Sequence, residues 1–141
     1  MKYYVGNITP SQDTIFVFGS NPEGIHGAGA AAVAVRHFGA IYGIGEGLQG
    51  QSYALPTKDL RVRENNGLHS ISPQNITAAV RRMYEVARKN PDKNFKIAFR
   101  NTNEVTLNGY SGWEMIDIFL AAGPMPENVW VSEEWFSTGK F

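Results

Sequence analysis

Residues 15–38 read IFVFGSNPEGIHGAGAAAVAVRHF, and this stretch decides the fold class. A continuous apolar run comes first, which is typical of a strand that is buried on both faces of a sheet. A glycine-rich loop follows over residues 19–29, and the alanine-rich residues 28–38 favour a helix that stops at Gly39. α/β proteins bind phosphate groups with a strand that leads through a glycine-rich loop, whose backbone is accessible, into a helix.

The rest of the chain continues this alternation of strands and helices. The strands are predicted at residues 2–5, 14–18, 52–56, 95–99 and 128–131, and the helices at residues 28–38, 72–89 and 111–122. Residues 41–51 carry four glycines and are predicted to be a loop. The order β-β-α-β-α-β-α-β predicts one α/β domain over residues 1–141, with a three-layer α/β/α arrangement around a mixed, mainly parallel sheet.

Two of the predicted helices begin with explicit signals. Ser72 is expected as the N-cap of the second helix, with Pro73 in its first position. Ser111 and Glu114 fit the capping-box pattern at the start of the third helix. The side chains of that third helix that we expect to face the core are Trp113, Ile116, Phe119 and Leu120.

The composition argues against several classes of function. With 43% apolar and 18% charged residues the sequence is typical of a globular domain, and its 13 basic and 13 acidic residues leave no basic excess for nucleic acid. Cysteine is absent and the three histidines lack metal-ligand spacing, so neither a metal nor a cofactor is expected. No apolar run reaches the ~20 residues of a membrane span and no signal peptide is recognised, which predicts a cytoplasmic location.

Two loops follow buried strands and lead into helices, at residues 19–29 and at residues 100–110. In parallel sheets ligands bind beyond the carboxyl ends of the strands, where helix N-termini offer unpaired N–H groups. If the two strands are neighbours, both loops lie on one rim and together suit a diphosphate. The same glycines would also serve tight turns and close helix packing, and for one loop alone that explanation is preferred.

Residues 27–32, GAGAAA, also fit the dinucleotide fingerprint G-x-G-x-x-A. In that fingerprint the first glycine follows the strand almost at once, whereas here eight residues, 19–26, intervene. We therefore do not assign a Rossmann site. Within the loop, Asn21 is placed either to bind a ligand or to cap a turn, and His26 is either a base or phosphate donor or an exposed loop histidine.

Several stretches resemble a known family. Residues 5–9, VGNIT, and the strand that ends before Asn21 are similar to the opening of macrodomains, the α/β modules that bind ADP-ribose. Residues 97–99, IAF, and residues 107–110, LNGY, resemble the later strand and phosphate loop of that family. HGAG at 26–29 and YALPTK at 53–58 are most similar to the branch that contains the terminal ADP-ribose protein glycohydrolase and phage or bacterial relatives.

The resemblance implies roles by position. Asn7 stands where an aspartate usually accepts the adenine amino group, Asn21 would lie near the distal ribose, and Lys58 stands where the glycohydrolase has its lysine nucleophile. The other implied ligand-binding residues are Ile8, Gly27, Ala28, Gly29, Ala30, Leu107, Asn108, Gly109 and Tyr110. Catalytic roles are thus expected for Lys58 and His26; for Lys58 the alternative is an exposed lysine at the end of a strand.

This chain departs from the family pattern at several positions. Gly109 occupies the place of the aspartate that the glycohydrolase pairs with its lysine, Thr106 replaces a glycine, and Arg100 replaces a proline. These departures favour binding over catalysis.

The sequence therefore predicts a macrodomain-like module that binds ADP-ribose or a related nucleotide diphosphate sugar. Hydrolysis of an ADP-ribosyl bond, by water or by Lys58, is left open. The alternatives are a different nucleotide-sugar or phosphoester hydrolase, a non-catalytic reader of ADP-ribosylated targets, and a module whose loops only shape a protein interface. The expected partner is an ADP-ribose-like small molecule or an ADP-ribosylated macromolecule, and neither a membrane nor nucleic acid.

Overall fold

The computed structural model describes residues 2–100 and 106–140 of the chain. Within them the strands are β1 (Lys2–Tyr4), β2 (Thr14–Ser20), β3 (Gly47–Gln49), β4 (Ser52–Pro56), β5 (Asn94–Ile97) and β6 (Val129–Ser132). The α-helices are α1 (Gly29–His37), α2 (Pro73–Lys89) and α3 (Gly112–Ala121), and short 3-10 segments lie at Glu64–Gly67 and Glu133–Thr138.

The described strands form one sheet in the order β1-β6-β5-β2-β4-β3. Every neighbouring pair is parallel except β3 and β4, which are antiparallel. The predicted α/β class with a mixed, mainly parallel sheet is confirmed. β2 lies between β5 and β4, with Val17 opposite Ile97 on one side and Tyr53 on the other.

Alternate side chains of β2 face two separate hydrophobic clusters, because successive residues of a strand point to opposite faces. Ile15 and Val17 belong to the larger cluster, which contains the buried side chains of α2 and α3. Phe16 and Phe18 belong to the smaller cluster with α1, where the ring of Phe16 stacks on that of Phe38 at 4.4 Å. Burial on both faces explains why this strand is apolar without alternation.

The predicted helix starts of α2 and α3 are confirmed. The Ser72 hydroxyl accepts a hydrogen bond from the Asn75 N–H at 3.1 Å, and Pro73 is the first residue of α2. At α3 both bonds of the capping box are present, between Ser111 and Glu114. These caps satisfy N–H groups that a helix start otherwise leaves unpaired.

The prediction that residues 41–51 are a loop is wrong in part, because β3 lies within them. Gln49 pairs with Ser52 across a tight return in which Gly50 has a φ of +60°. That conformation is open to glycine, so the glycine-rich composition here permits a hairpin. Elsewhere β2 is two residues longer than predicted, and β5 ends at Ile97 before the predicted residues 98–99.

The prediction that Trp113 faces the core is also wrong. Its side chain is 40% exposed, whereas Ile116 and Phe119 are buried as expected. The buried positions of α3 are Gly112, Met115, Ile116, Ile118 and Phe119, a stripe on whose border Trp113 stands. Instead of packing inward, Trp113 lies beneath the ammonium group of Lys140, 5.7 Å from the ring centre.

Candidate functional site

A cleft of about 610 Å³ opens at the carboxyl ends of β2, β4 and β5. Three segments that follow these strands line the cleft. They are residues 19–21 after β2, then Thr57, Lys58 and Leu60 after β4, and residues 98–100 after β5. The start of α1 at residues 27–31 and the second loop at residues 106–108 complete the lining, together with Ile25. The structure thus brings the first predicted loop and the described parts of the second, residues 100 and 106–108, to a single cleft. Residues 101–105 of the second loop lie outside the described residues.

Asn21 shapes the first loop through its side chain. The side-chain oxygen accepts from the Ile25 N–H at 2.9 Å, and the side-chain NH₂ donates to the Ile25 carbonyl, also at 2.9 Å. The residue is only 8% exposed, although it forms part of the cleft lining. Of the two roles that the sequence left open, capping a turn is the one that these contacts show.

A second segment, residues 41–46, packs directly on the backbone of this loop. The Gly43 N–H donates to the Gly24 carbonyl at 2.7 Å. A Cβ atom on Gly45 would overlap the carbonyl oxygen of Asn21 and would come within 2.7 Å of that of Pro22. Only the absence of a side chain at Gly45 allows so close an approach, so this glycine holds the loop in place.

His26 is 3% exposed, so the alternative of an exposed loop histidine is wrong. Its Nε2 atom lies 2.9 Å from the Ile44 carbonyl oxygen, and its ring meets the rings of Phe18 and Tyr42 edge-on. Its Nδ1 atom is buried and has no hydrogen-bond partner among the described residues. His26 is not among the residues that line the cleft. Through its contacts with Ile44 and Tyr42 it connects residues 41–46 to the first loop.

The N-terminus of α1 faces the cleft without a side-chain cap. Ala28 is the N-cap residue and contributes no side-chain hydrogen bond, and residues 28–31 line the cleft. The first N–H groups of this helix therefore remain available to a ligand, unlike those of α3. Leu107 of the second loop lies close to this helix start. A Cβ atom added to Gly29 would be 3.2 Å from Leu107 Cδ1.

The charged residues of the described lining are both cationic, Lys58 and Arg100. Arg100 donates from Nη1 to the Asn7 side-chain oxygen at 3.0 Å and from Nη2 to Glu134 Oε1 at 3.1 Å. Lys58 forms no hydrogen bond or ion pair with any described residue, which leaves its amine available. Although the whole chain has a formal net charge of zero, the charged side chains of the described lining are both cations, of which Arg100 is ion-paired with Glu134.

The second loop is held by Asn108. Its side-chain oxygen accepts from the Tyr110 N–H at 2.9 Å and from the Thr106 hydroxyl. Its side-chain NH₂ lies 3.4 Å from the Met115 sulfur, and its backbone carbonyl accepts from the His69 N–H at 2.8 Å. These bonds anchor the loop both to α3 and to the segment that follows β4.

Gly109 and Tyr110 do not line the cleft. A Cβ atom on Gly109 would lie 2.9 Å from Leu68 Cβ, so this glycine permits close packing of two segments. The Tyr110 hydroxyl donates to the Ile71 carbonyl at 2.8 Å, and the ring lines a separate groove of about 510 Å³ between α2 and α3. Burial raises the pKa of this tyrosine above its usual value.

Asn7 and Ile8 also stand outside the cleft lining. Asn7 accepts a hydrogen bond from the lining residue Arg100, and Ile8 packs against the hydrophobic cluster of α1. The expected site residues that the structure brings together in the cleft are Asn21, Gly27, Ala28, Gly29, Ala30, Lys58, Leu107 and Asn108.

Among the lining residues that sequence reasoning did not assign are Thr57, Leu60 and Arg100. All three stand within four residues of the carboxyl end of β4 or β5, and this position was the signal that could have found them.

Among the described residues no group of three or more histidine, aspartate or glutamate side chains is placed to hold a metal ion. The same part of the chain contains no helix with the length and apolarity needed to cross a membrane. A comparison of the chain with protein-family models, with curated proteins and with solved structures finds no match.

Proposed function

We propose that the cleft binds ADP-ribose or a related nucleotide diphosphate sugar, on a three-layer, macrodomain-like α/β/α fold. The observation that carries the proposal is the uncapped N-terminus of α1 in a cleft whose described charged residues, Lys58 and Arg100, are both cations. Unpaired N–H groups at a helix start and nearby cations are the usual partners of phosphate oxygens.

The sheet order supports a ligand that extends in two directions from the phosphates. Because β2 lies between β5 and β4, Arg100 and Lys58 follow strands on opposite sides of the first loop. Neighbouring strands are ~4.8 Å apart, so about 10 Å separates the two outer strands. A diphosphate at α1 would then carry one group towards Arg100 and another towards Lys58.

The size and apolar walls of the cleft also suit a nucleotide. Its volume of about 610 Å³ falls within the range of small-molecule sites, roughly 300–1,000 Å³. Ile25, Leu60 and Leu107 are exposed aliphatic side chains at its edge, and their apolar surface would cover a base and a ribose.

Hydrolysis of an ADP-ribosyl bond is the second candidate function, and it rests on the free amine of Lys58. In this reaction the neutral amine would attack the anomeric carbon of the distal ribose and displace the linked group with its bonding electrons. Water would then replace the amine at that carbon, which releases ADP-ribose and restores the lysine. Without turnover, the same cleft would act as a reader of ADP-ribosylated targets.

Isothermal titration calorimetry with ADP-ribose, AMP and NAD tests the proposal. We expect ADP-ribose to bind more tightly than AMP, because its diphosphate reaches both α1 and a cation. Substitution Arg100→Gln should weaken ADP-ribose binding, whereas Arg36→Gln, outside the cleft lining, should leave binding unchanged. Absence of binding at high micromolar ADP-ribose would overturn the proposal.

A further inference from the structure

Residues 59–70, between β4 and α2, form a compact loop that is closed by its own hydrogen bonds. The Asp59 N–H donates to the Ser70 hydroxyl at 2.7 Å, and the Ser70 N–H donates to the Gly67 carbonyl at 3.2 Å. A surface loop whose ends meet in this way is ordered by its own contacts. Lys58, a residue of the cleft lining, immediately precedes this 59–70 loop.

The 59–70 loop is attached to both of the loops that form the cleft. Arg61 forms an ion pair with Glu23 of the first loop at 3.1 Å. On the other side, the His69 N–H donates to the carbonyl of Asn108 in the second loop at 2.8 Å. The position of the 59–70 loop relative to the cleft is therefore fixed at two places.

The backbone of this loop adopts conformations that most residues avoid. In the described part of the chain, the non-glycine residues with a positive φ are Asn65 at +51°, Asn66 at +57° and His69 at +58°, and all three lie here. Among them stands Gly67, with a φ of +76°. Such conformations persist only where the surrounding structure enforces them, and they are concentrated at functional sites.

Gly67 lies against the side chain of Lys58. A Cβ atom on Gly67 would be 3.1 Å from Lys58 Cε and 3.2 Å from the Asp59 carbonyl oxygen. Glycine therefore meets two demands here, since it accepts the positive φ and leaves room for the methylene chain of the lysine. A lysine loses much side-chain entropy when it is held, so a chain that is ordered in advance spares the ligand this cost.

We propose that Gly67 is a positioning residue, which orders the half-buried side chain of Lys58 and directs its amine towards the anionic ligand of the cleft. The inference rests on the proposed function. Contact with a phosphate and attack on the ribose both require a defined direction of this amine. The order of the side chain can itself be measured without a ligand.

Nuclear magnetic resonance of the full chain with isotope-labelled lysine makes this measurement. The two protons on Cε share one chemical shift in a mobile lysine and have different shifts in an ordered one. We expect two proton shifts at Lys58 Cε, assigned by their absence in Lys58→Arg, and one at the exposed Lys89.

Two substitutions in the 59–70 loop should disturb this order. In Gly67→Ala and in Ser70→Ala, which removes the acceptor of the Asp59 N–H, the two shifts should approach each other or merge. Gly139→Ala is the matched control, because Gly139 has a φ of +74° and a Cβ there meets no atom within 4 Å. It should leave the shifts of Lys58 unchanged.

Calorimetry with ADP-ribose tests whether Gly67 acts through Lys58. We expect Gly67→Ala to weaken binding about threefold when Lys58 is present, and by less than about 1.5-fold in a Lys58→Ala background, because coupled residues are not additive. Thermal unfolding shows whether each variant is folded. If Gly67→Ala does not fold, Ser70→Ala carries the same two measurements.

A single shift for the Cε protons of Lys58 in the wild-type protein would overturn the inference. Equal losses of affinity in the two backgrounds would also overturn it, because Gly67 would then act on the cleft without Lys58. If the two shifts are distinct but ADP-ribose does not bind, the proposed function fails and the ordering of Lys58 by Gly67 is still supported.

Discussion

The side-chain amide of Asn21 forms both of its hydrogen bonds with the backbone of Ile25. One lone pair of the side-chain oxygen and one N–H of the NH₂ group thus hold the loop that leads to the start of α1. A contact between Asn21 and a ribose, which the family resemblance implies, stays a prediction. A loop that is ordered before binding spares the ligand the entropic cost of ordering it.

We predict that Asn21→Ala destabilises the protein by about 2 kcal/mol, the usual contribution of two hydrogen bonds. ADP-ribose affinity should fall as well, because the loop loses its fixed shape. Asn21→Asp keeps the acceptor for the Ile25 N–H but loses the donor to its carbonyl, so its effect on stability should be intermediate. Urea unfolding and calorimetry measure the two effects. Wild-type stability in Asn21→Ala would contradict the structural role of this side chain.

Gly45 offers a test of the contact between residues 41–46 and the first loop. We predict that Gly45→Ala destabilises the protein by about 1–3 kcal/mol, because the new Cβ overlaps the backbone oxygen of Asn21 and the structure must shift. Gly27→Ala is the matched control, since a Cβ there meets no atom within 4 Å. Its stability should stay within about 0.5 kcal/mol of wild type. Equal thermal unfolding of the two variants would show that the contact is not tight.

Two substitutions of Lys58 distinguish a role in binding from a role in catalysis. We predict that Lys58→Arg retains most of the affinity for ADP-ribose, because the charge remains, whereas Lys58→Ala lowers it about tenfold. If the amine is the nucleophile, both variants lose release of ADP-ribose from a modified protein, since a guanidinium does not attack carbon at neutral pH. Turnover by Lys58→Arg at the wild-type rate would exclude the covalent route and leave attack by water.

Burial, followed by the Glu46 carboxylate, raises the pKa of Tyr53 from 10.0 to about 12. An unfolded chain loses this proton near pH 10, so between pH 10 and 12 the folded state binds more protons and its stability falls as pH rises. Tyr53 makes no hydrogen bond with a described residue, and we predict that Tyr53→Phe matches wild type at pH 7. By pH 11 the variant should have lost about 1.4 kcal/mol less stability than wild type.

Urea unfolding at pH 7, 9, 10 and 11 measures this difference. Tyr42→Phe is the control, because Tyr42 is 62% exposed whereas Tyr53 is 1% exposed. Its pH profile should follow that of wild type. Parallel profiles for Tyr53→Phe and wild type would show that Tyr53 titrates alike in the folded and unfolded chains.

Much of the fold could be predicted because its signals are local. The apolar run of β2, the N-cap at Ser72 and the capping box at Ser111 each depend on neighbouring residues, and all three are confirmed. Trp113 shows where such reasoning fails, since it stands on the border of a helical stripe and only the packing of α3 decides its side. β3 was missed because glycines do not distinguish a short edge strand from a loop.

The candidate site was predicted less completely, because its residues come from segments far apart in the sequence. The position of the glycine loop after a buried strand follows from the order of the elements. The burial of His26 does not, because it depends on a contact with Ile44 from another segment. Tyr110 likewise is drawn away from the cleft by the Ile71 carbonyl, which no spacing within the second loop could indicate.

The sequence by itself determined five of the six described strands, the helix starts and the two glycine-rich loops, since backbone propensity and capping act over a few residues. Only the tertiary structure decided which side chains meet. Arg100 and Asn7 are 93 residues apart and are joined because β1, β6 and β5 lie side by side. Strand order is set by the burial of whole faces of the sheet, and therefore no local pattern contains it.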